Sequence, residues 1–159
     1  MTAWRSLAHF VAEPPPADWR KQLALRLGQR PRRIGAWTEL ALFGARQCLD
    51  AAGEAALPAG VHLRVASLSG PRNATRAIIE QGALGLPMPF SFMQSQPSQM
   101  LAALSQHLGW SGDARFTLGR DRDTLLRMAQ RECGAAGVLI GWVEEDQATE
   151  WWRLAAVSD

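Results

Sequence analysis

The chain reads as a layered α/β protein in which helices cover a mixed β-sheet, and three observations predict it. Segments with two-residue alternation or short continuous apolar runs, the marks of strands, take turns along the chain with segments whose apolar residues recur every three or four positions, the mark of helices. The run Val138-Leu139-Ile140-Gly141-Trp142-Val143 is apolar throughout, as in a central strand covered on both faces. The length, 159 residues, suits one hydrophobic core, so residues 1–159 form a single domain.

The first strand runs over residues 4–11 and is stopped by Pro14, Pro15 and Pro16, which can neither donate to a ladder nor continue one. Over 17–27, Trp19, Leu23 and Leu27 recur every four positions opposite Arg20 and Lys21, predicting a short amphipathic helix that Gly28 ends. Arg30-Pro31-Arg32-Arg33 is the one dense basic run, expected as a solvated loop edge or an anchor for carboxylates on a neighbouring element. Residues 37–52 are apolar nearly all round, with Leu40, Leu42, Phe43, Cys48 and Leu49, so this helix is buried on most faces.

The alternation over 61–67 predicts a strand carrying Val61, Leu63 and Val65 on one side. Asn73 is placed to cap a helix over 74–82 with Ile78 and Ile79, and 82–89 follows as a loop. Ser98 is placed to cap a helix over 100–108 with Leu101, Leu104 and Leu108 at helical spacing. A short strand at 114–118 precedes a helix over 121–133, which turns Leu125, Leu126, Met128 and Ala129 inward. The last strand, 150–157, presents Trp151 and Arg153 on one side and Trp152 and Leu154 on the other. The five residues 144–148 join it to the strand before it, enough for a hairpin and too few for a parallel crossover.

Composition excludes several functions. Seventeen basic residues against fifteen acidic ones leave a net charge of +2, far from the excess needed to grip many phosphates, so no nucleic-acid partner is expected. Cys48 and Cys133 are far apart with no histidine at ligand spacing, which predicts neither a metal site nor a disulfide. His9, His62 and His107 share no spacing that suggests a dyad. The turns at 67–70 and 109–112 lack the glycine pattern of a phosphate cradle, so no nucleotide or other cofactor is expected. No apolar run reaches the roughly 20 residues that span a bilayer. Residues 1–11 do not read as a signal peptide, so the expected location is cytoplasmic. The seven Trp, with no Tyr, are assigned to core filling and edge packing.

Four stretches in this order carry a family resemblance. They are Arg32-Arg33-Ile34 with Trp37-Thr38-Glu39-Leu40-Ala41-Leu42 and Ala51-Ala52-Gly53; Leu63-Arg64-Val65-Ala66-Ser67 followed by Thr75 and Ile78-Ile79; Pro87-Met88-Pro89-Phe90-Ser91-Phe92-Met93-Gln94-Ser95-Gln96; and Ala114 through Glu145. Together they resemble the amino-terminal half of β-ketoacyl synthases of the thiolase-like superfamily, especially the divergent branch found beside aryl-polyene and related pigment genes. In the third stretch Ser95 and Gln96 stand where the family pattern has His and Asn. The resemblance implies a thiolase-like half-fold with a five-stranded mixed sheet.

It also implies where chemistry belongs. In that family a cysteine sits at a strand-to-helix turn, where the helix amino terminus lowers its pKa. The matching turn here, Thr117-Leu118-Gly119-Arg120-Asp121, has no thiol, so Leu118, Gly119 and Arg120 form a degenerate nucleophile turn, with Asp121 or Asp123 left to cap the helix. The family's two catalytic histidines lie in its other half, beyond the end of this chain. Cys133, near a helix carboxy end, and Cys48, within an apolar helix, read as structural thiols.

The expected function is a non-catalytic, ketosynthase-like accessory subunit in fatty-acid, polyketide or aryl-polyene synthesis, acting as a homo-oligomer or in a hetero-complex with a ketosynthase. Two alternatives stand beside it. One is a small acyl-thioester enzyme using Asp121, Asp123 or His107 as acid or base. The other is an acyl-carrier-protein docking module in which Arg30, Arg32 and Arg33, with Arg72 and Arg76, receive an acidic helix.

Overall fold

The computed structural model describes residues 3–132 and 134–157. Five strands, β1 (Trp4–Ala12), β2 (His62–Ser67), β3 (Ala114–Leu118), β4 (Val138–Glu144) and β5 (Ala148–Ala156), form one sheet in the order β1-β5-β4-β2-β3. Six helices accompany them: α1 (Trp19–Leu27), α2 (Ala36–Ala51), α3 (Arg72–Ala83), α4 (Pro89–Gln94), α5 (Pro97–His107) and α6 (Arg122–Glu132). β2 runs parallel to both β3 and β4, and β5 is antiparallel to β1 and β4. The mixed five-stranded sheet covered by helices is thus the predicted one. Its two parallel pairs are joined by helical crossovers, as parallel pairing requires.

The apolar run at the centre forms β4, and Val138 to Val143 are buried without exception. On one face of the sheet α2 contributes Trp37, Leu40, Phe43, Cys48 and Leu49, and α5 contributes Met100 and Leu104. They pack on Leu63, Val65, Leu139, Val143 and Trp151. On the other face Leu125 and Ala129 of α6 cover Ala66, Val138, Ile140, Trp142 and Leu154. The indole of Trp37 donates to the Val143 carbonyl at 3.0 Å and ties the start of α2 to β4. Trp151 and Trp152 face opposite cores, as their alternation predicted.

β2 is more deeply buried than a one-sided alternation suggests, because β3 and β4 flank it and α6 covers its second face. Arg64 is buried there, and its guanidinium donates to Asp113 and Glu132 carboxylates and to the Leu63 and Asp113 carbonyls. A buried charge persists only when answered in this way. The hairpin between β4 and β5 is tighter than expected: Glu144 pairs with Ala148, and Asp146 in the intervening turn takes a φ of 62°, which Asp tolerates better than most residues.

Two predicted caps are not used as caps. Pro71 precedes α3, and Asn73 instead donates its backbone N–H to Glu145 at 2.7 Å and its side-chain amide to Asp146 at 3.1 Å, binding the helix to the hairpin tip. Pro97 opens α5 with Gln96 before it, a first-turn place that suits a residue without an N–H, and Ser98 falls inside the helix. Met128, expected to point inward, is 44% exposed, since Leu125 and Ala129, with partly buried Leu126, make the face of α6 that packs on the sheet. No residue of α3 or α4 is buried, so Ile79 contributes nothing to the core. Cys133, the expected end of α6, lies outside the described residues.

Gly44 of α2 faces the Thr149 hydroxyl and the Trp151 indole so closely that a Cβ would overlap both. Replacing Gly44 with Val should destabilise the chain by about 1–3 kcal/mol through overpacking, read as a lower urea midpoint. Gly82→Ala, in α3, where a Cβ meets open space, should leave the midpoint equal or higher.

Candidate functional site

The turn joining β3 to α6 is the place where the resemblance puts chemistry. β3 is an edge strand, and the Gly119 N–H donates to the Ser67 carbonyl at 3.1 Å, extending the parallel pairing by one residue. Asp121 then caps α6 as expected. Its carboxylate accepts the Thr124 N–H at 2.8 Å and the Thr124 hydroxyl at 3.0 Å, bonds that hold the carboxyl below the usual carboxylate range. A carboxylate occupied in this way is a structural group.

Trp142 lies against one side of Gly119. A Cβ at position 119 would stand 3.3 Å from the indole and 3.6 Å from the Ala66 Cβ, so a side chain there fits once the tryptophan shifts by a few tenths of an ångström. Trp142 is held in turn. The Arg122 guanidinium lies 6.0 Å from its ring centroid and pairs with Glu13 at 2.9 Å and Glu150 at 2.7 Å, while His9 Nε2 meets Glu150 at 2.8 Å and stacks on Trp152. On its other side the turn itself, Leu118, Gly119, Arg120 and Asp121, borders with Ala66 and Leu125 a cavity of about 240 Å³. It is smaller than the ~300 Å³ at which ligand sites usually begin.

The other titratable groups are elsewhere. Cys48 is fully buried and burial pushes its thiol up to about 12, which leaves no thiolate at neutral pH. His107, one of the residues offered as an acid or base, ends α5, and Asp121 precedes α6, on opposite faces of the sheet, so neither can assist the other; burial lowers the His107 pKa. Among the described residues no three His, Cys, Asp or Glu side chains gather to hold a metal, and no helix is long and apolar enough to cross a membrane.

The basic run divides. Arg30 lies 3.9 Å and Arg20 3.5 Å from buried Glu39, a weak version of the carboxylate anchor predicted for the run. Arg32 and Arg33 are exposed and pair with no carboxylate among the described residues. They border a second cavity, of about 320 Å³, between the start of α2 and helices α4 and α5. Arg72 and Arg76 sit on α3, and neither borders that cavity.

Two features escaped sequence reading. The turn after β2 does cradle an anion, but the anion is internal: the Glu144 carboxylate accepts the Ser67 hydroxyl at 2.9 Å and the N–H groups of Leu68 and Ser69. Only the register of β4 brings Glu144 there. The other is an apolar surface on α3, α4 and their connection, where Ile79, Leu84, Leu86, Phe90, Phe92 and Met93 are each half or more exposed. Its signal was the apolar Phe90-Ser91-Phe92-Met93 stretch, which lacks a polar face of its own.

The sheet order, the helical crossovers and the strand-to-helix turn together define a ketosynthase-like α/β fold, and solved structures agree. One is a ketosynthase (ApeO) in complex with its chain length factor (ApeC) from Xenorhabdus doucetiae, matched with a TM-score of 0.64 at 13% identity over 99% of this chain and 78% of that one. Another is the AntDE:AntF complex of a type II polyketide synthase acyl-carrier protein with its ketosynthase bound to the hexaketide, with a TM-score of 0.65 at 10% identity over 98% of this chain and 63% of that one. A β-ketoacyl synthase from Burkholderia phymatum STM815 matches with a TM-score of 0.55 at 15% identity over 89% of this chain. The chain spans 45% of that synthase. No protein-family model and no curated protein matches the chain.

Native protein should resist iodoacetamide at Cys48 at pH 8 and be modified there fully after unfolding in urea, as mass spectrometry of the Cys48 peptide would read. Because the folded pKa is raised, the buried thiol supports the fold below the ordinary thiol value and loses that contribution as pH climbs toward about 12.

Proposed function

We propose that this chain is a non-catalytic, ketosynthase-like subunit that pairs with a complete ketosynthase in polyketide-type or aryl-polyene acyl-chain synthesis. The observation that carries the reading is the turn from Thr117 to Asp121 between β3 and α6, which holds no thiol at the place where the resemblance puts the nucleophile. The neighbours in fold support it, since one is a ketosynthase bound to its chain length factor.

Two surfaces suit a partner. β3 is an open edge whose outer ladder groups have no strand beside them, and Leu118 at its end is 71% exposed. The apolar surface on α3 and α4 is of the kind that soluble monomers seldom leave uncovered. Neither surface costs the chain core packing if it is changed.

Co-expression with a ketosynthase of the same cell should give a 1:1 complex by light scattering, and the double variant Leu118→Asp, Phe90→Asp should abolish it while circular dichroism stays unchanged. Condensation by the complex should stop when the partner's cysteine is replaced. Turnover of acyl-carrier and malonyl thioesters by this chain alone, lost in Asp121→Ala, would place the chemistry here and overturn the reading.

A carrier-docking role for the basic run has its own support, the unpaired guanidinium groups of Arg32 and Arg33. Reversing both to Glu should weaken binding of an acidic acyl carrier protein about tenfold or more at low salt, with the difference shrinking in 0.5 M salt as screening shortens to a few ångströms. Equal binding by the native chain and the variant at low salt would dismiss docking there.

A further inference from the structure

The segment from Ile79 to Met93 contributes no buried residue to the chain. Helix α3 packs on α4, and the two helices with their connection turn Ile79, Leu84, Leu86, Phe90, Phe92 and Met93 outward. The rings of Phe90 and Phe92 are 66% and 59% exposed. Single apolar side chains at a surface are ordinary, but six large ones within one short stretch make a patch that calls for a cover.

The surroundings of the patch select that cover. On α3, Arg72, Arg76 and Ile79 follow one another at spacings of four and three, so their side chains are neighbours on one face. At the other end Arg32 and Arg33 share a cavity wall with Phe90 and Met93. Arg72 lies near Glu145, which offsets its charge. Arg32, Arg33 and Arg76 form no ion pair among the described residues. Glu80 is the single carboxylate of α3, and from Gln81 through Gly112 the sequence holds no Asp or Glu at all.

The patch is therefore apolar in the middle, cationic at its rim and poor in hydrogen-bonding side chains, with only Glu80, Gln81 and Ser91 between Ile79 and Met93. A protein interface needs about one hydrogen bond per 100–200 Å² and a polar rim of mixed character. The side chains for that are scarce here. An anionic bilayer asks for less, since its boundary region takes up apolar groups by burial alone and its negative headgroups attract basic side chains.

We propose that this surface lies on an anionic lipid bilayer. Phe90, Phe92, Leu84 and Leu86 enter the boundary between headgroups and acyl chains, and Arg32, Arg33 and Arg76 meet lipid phosphates, which guanidinium groups hold with paired N–H donors. The inference goes beyond pairing with a ketosynthase and does not rest on it, because β3 offers such a partner an edge built of other residues.

The full chain is mixed with sucrose-loaded vesicles of phosphatidylcholine, with or without about one-third phosphatidylglycerol, and the vesicles are pelleted. The chain should pellet with the anionic vesicles and stay in solution with the neutral ones, and about 0.5 M salt should release most of it. Phe90→Asp with Phe92→Asp should weaken the association about tenfold or more, and so should Arg33→Glu with Arg76→Glu, with circular dichroism unchanged in both. Leu118→Asp, at the β3 edge, should bind these vesicles like the native chain. Equal pelleting with neutral and anionic vesicles, or none with either, would overturn the proposal. So would a native chain that ignores both vesicle types while Phe90→Asp with Phe92→Asp dissociates a ketosynthase complex or splits a homodimer, since the patch would then belong to a protein. Failure to pair with any ketosynthase, with anionic vesicles still bound, would overturn the pairing reading and leave this one standing.

Discussion

The structure depends on the seat of one side chain, the indole of Trp151. It lies between β4 and α2 in space left open by Gly141 and Gly44. A Cβ at Gly141 would fall 2.5 Å from the ring, and one at Gly44 would overlap both the ring and the Thr149 hydroxyl. The indole N–H donates to that hydroxyl at 2.9 Å, so the polar edge of a large apolar group is satisfied inside the core. With the two glycines the longest helix packs directly on the central strands. The same close approach brings the Trp37 indole at the start of α2 to the Val143 carbonyl of β4.

Charges organise what lies at the margins of this core. Arg153 reaches Glu54 at 2.8 Å and Arg46 donates to the Glu54 and Ala55 carbonyls, which secures the chain leaving α2. The acidic hairpin tip works at the other end of the sheet. Glu144 fills the turn after β2, Glu145 accepts the Asn73 N–H, and Asp146 accepts the Asn73 amide. Burial raises the Glu145 pKa against the pull of that N–H. Three consecutive residues, the last of β4 and the first two of the turn after it, therefore hold both the end of β2 and the start of α3. The turn at Gly119, bonded to Ser67, inherits its position from the same clamp.

How much of this was readable in the sequence depends on the range of the interaction. β4, α2 and the β4–β5 hairpin were readable because an unbroken apolar run, an all-round apolar helix and a short connection each constrain structure locally. Asp121 was readable as a cap because its partner, Thr124, is three residues on. Asn73 and Ser98 have the same local character and failed, since Asn73 is claimed by a hairpin more than seventy residues away and Pro97 sets the start of α5 itself. The exposure of Ile79 and Met128 was out of reach for the same reason. Helical spacing tells which residues share a face and not whether another layer covers it. Around the candidate site, sequence placed a strand-to-helix turn after Phe116, and β3 and α6 do lie on either side of one. It could not place Trp142 beside Gly119, a contact that exists only because β4 lies next to β2.

The alternation of β2 and β3 links the two halves of the functional argument. Val65 and Phe116 point to the α2 and α5 face, whereas the next residues, Ala66 and Thr117, line the cavity beside the turn on the α6 face. A one-residue slip of either strand would exchange these sets and lose both cores, so the register is strongly held. Phe116 meets Trp37 edge to face at 5.4 Å, near the start of α2 and hence near the cavity that Arg32, Arg33 and Thr38 border.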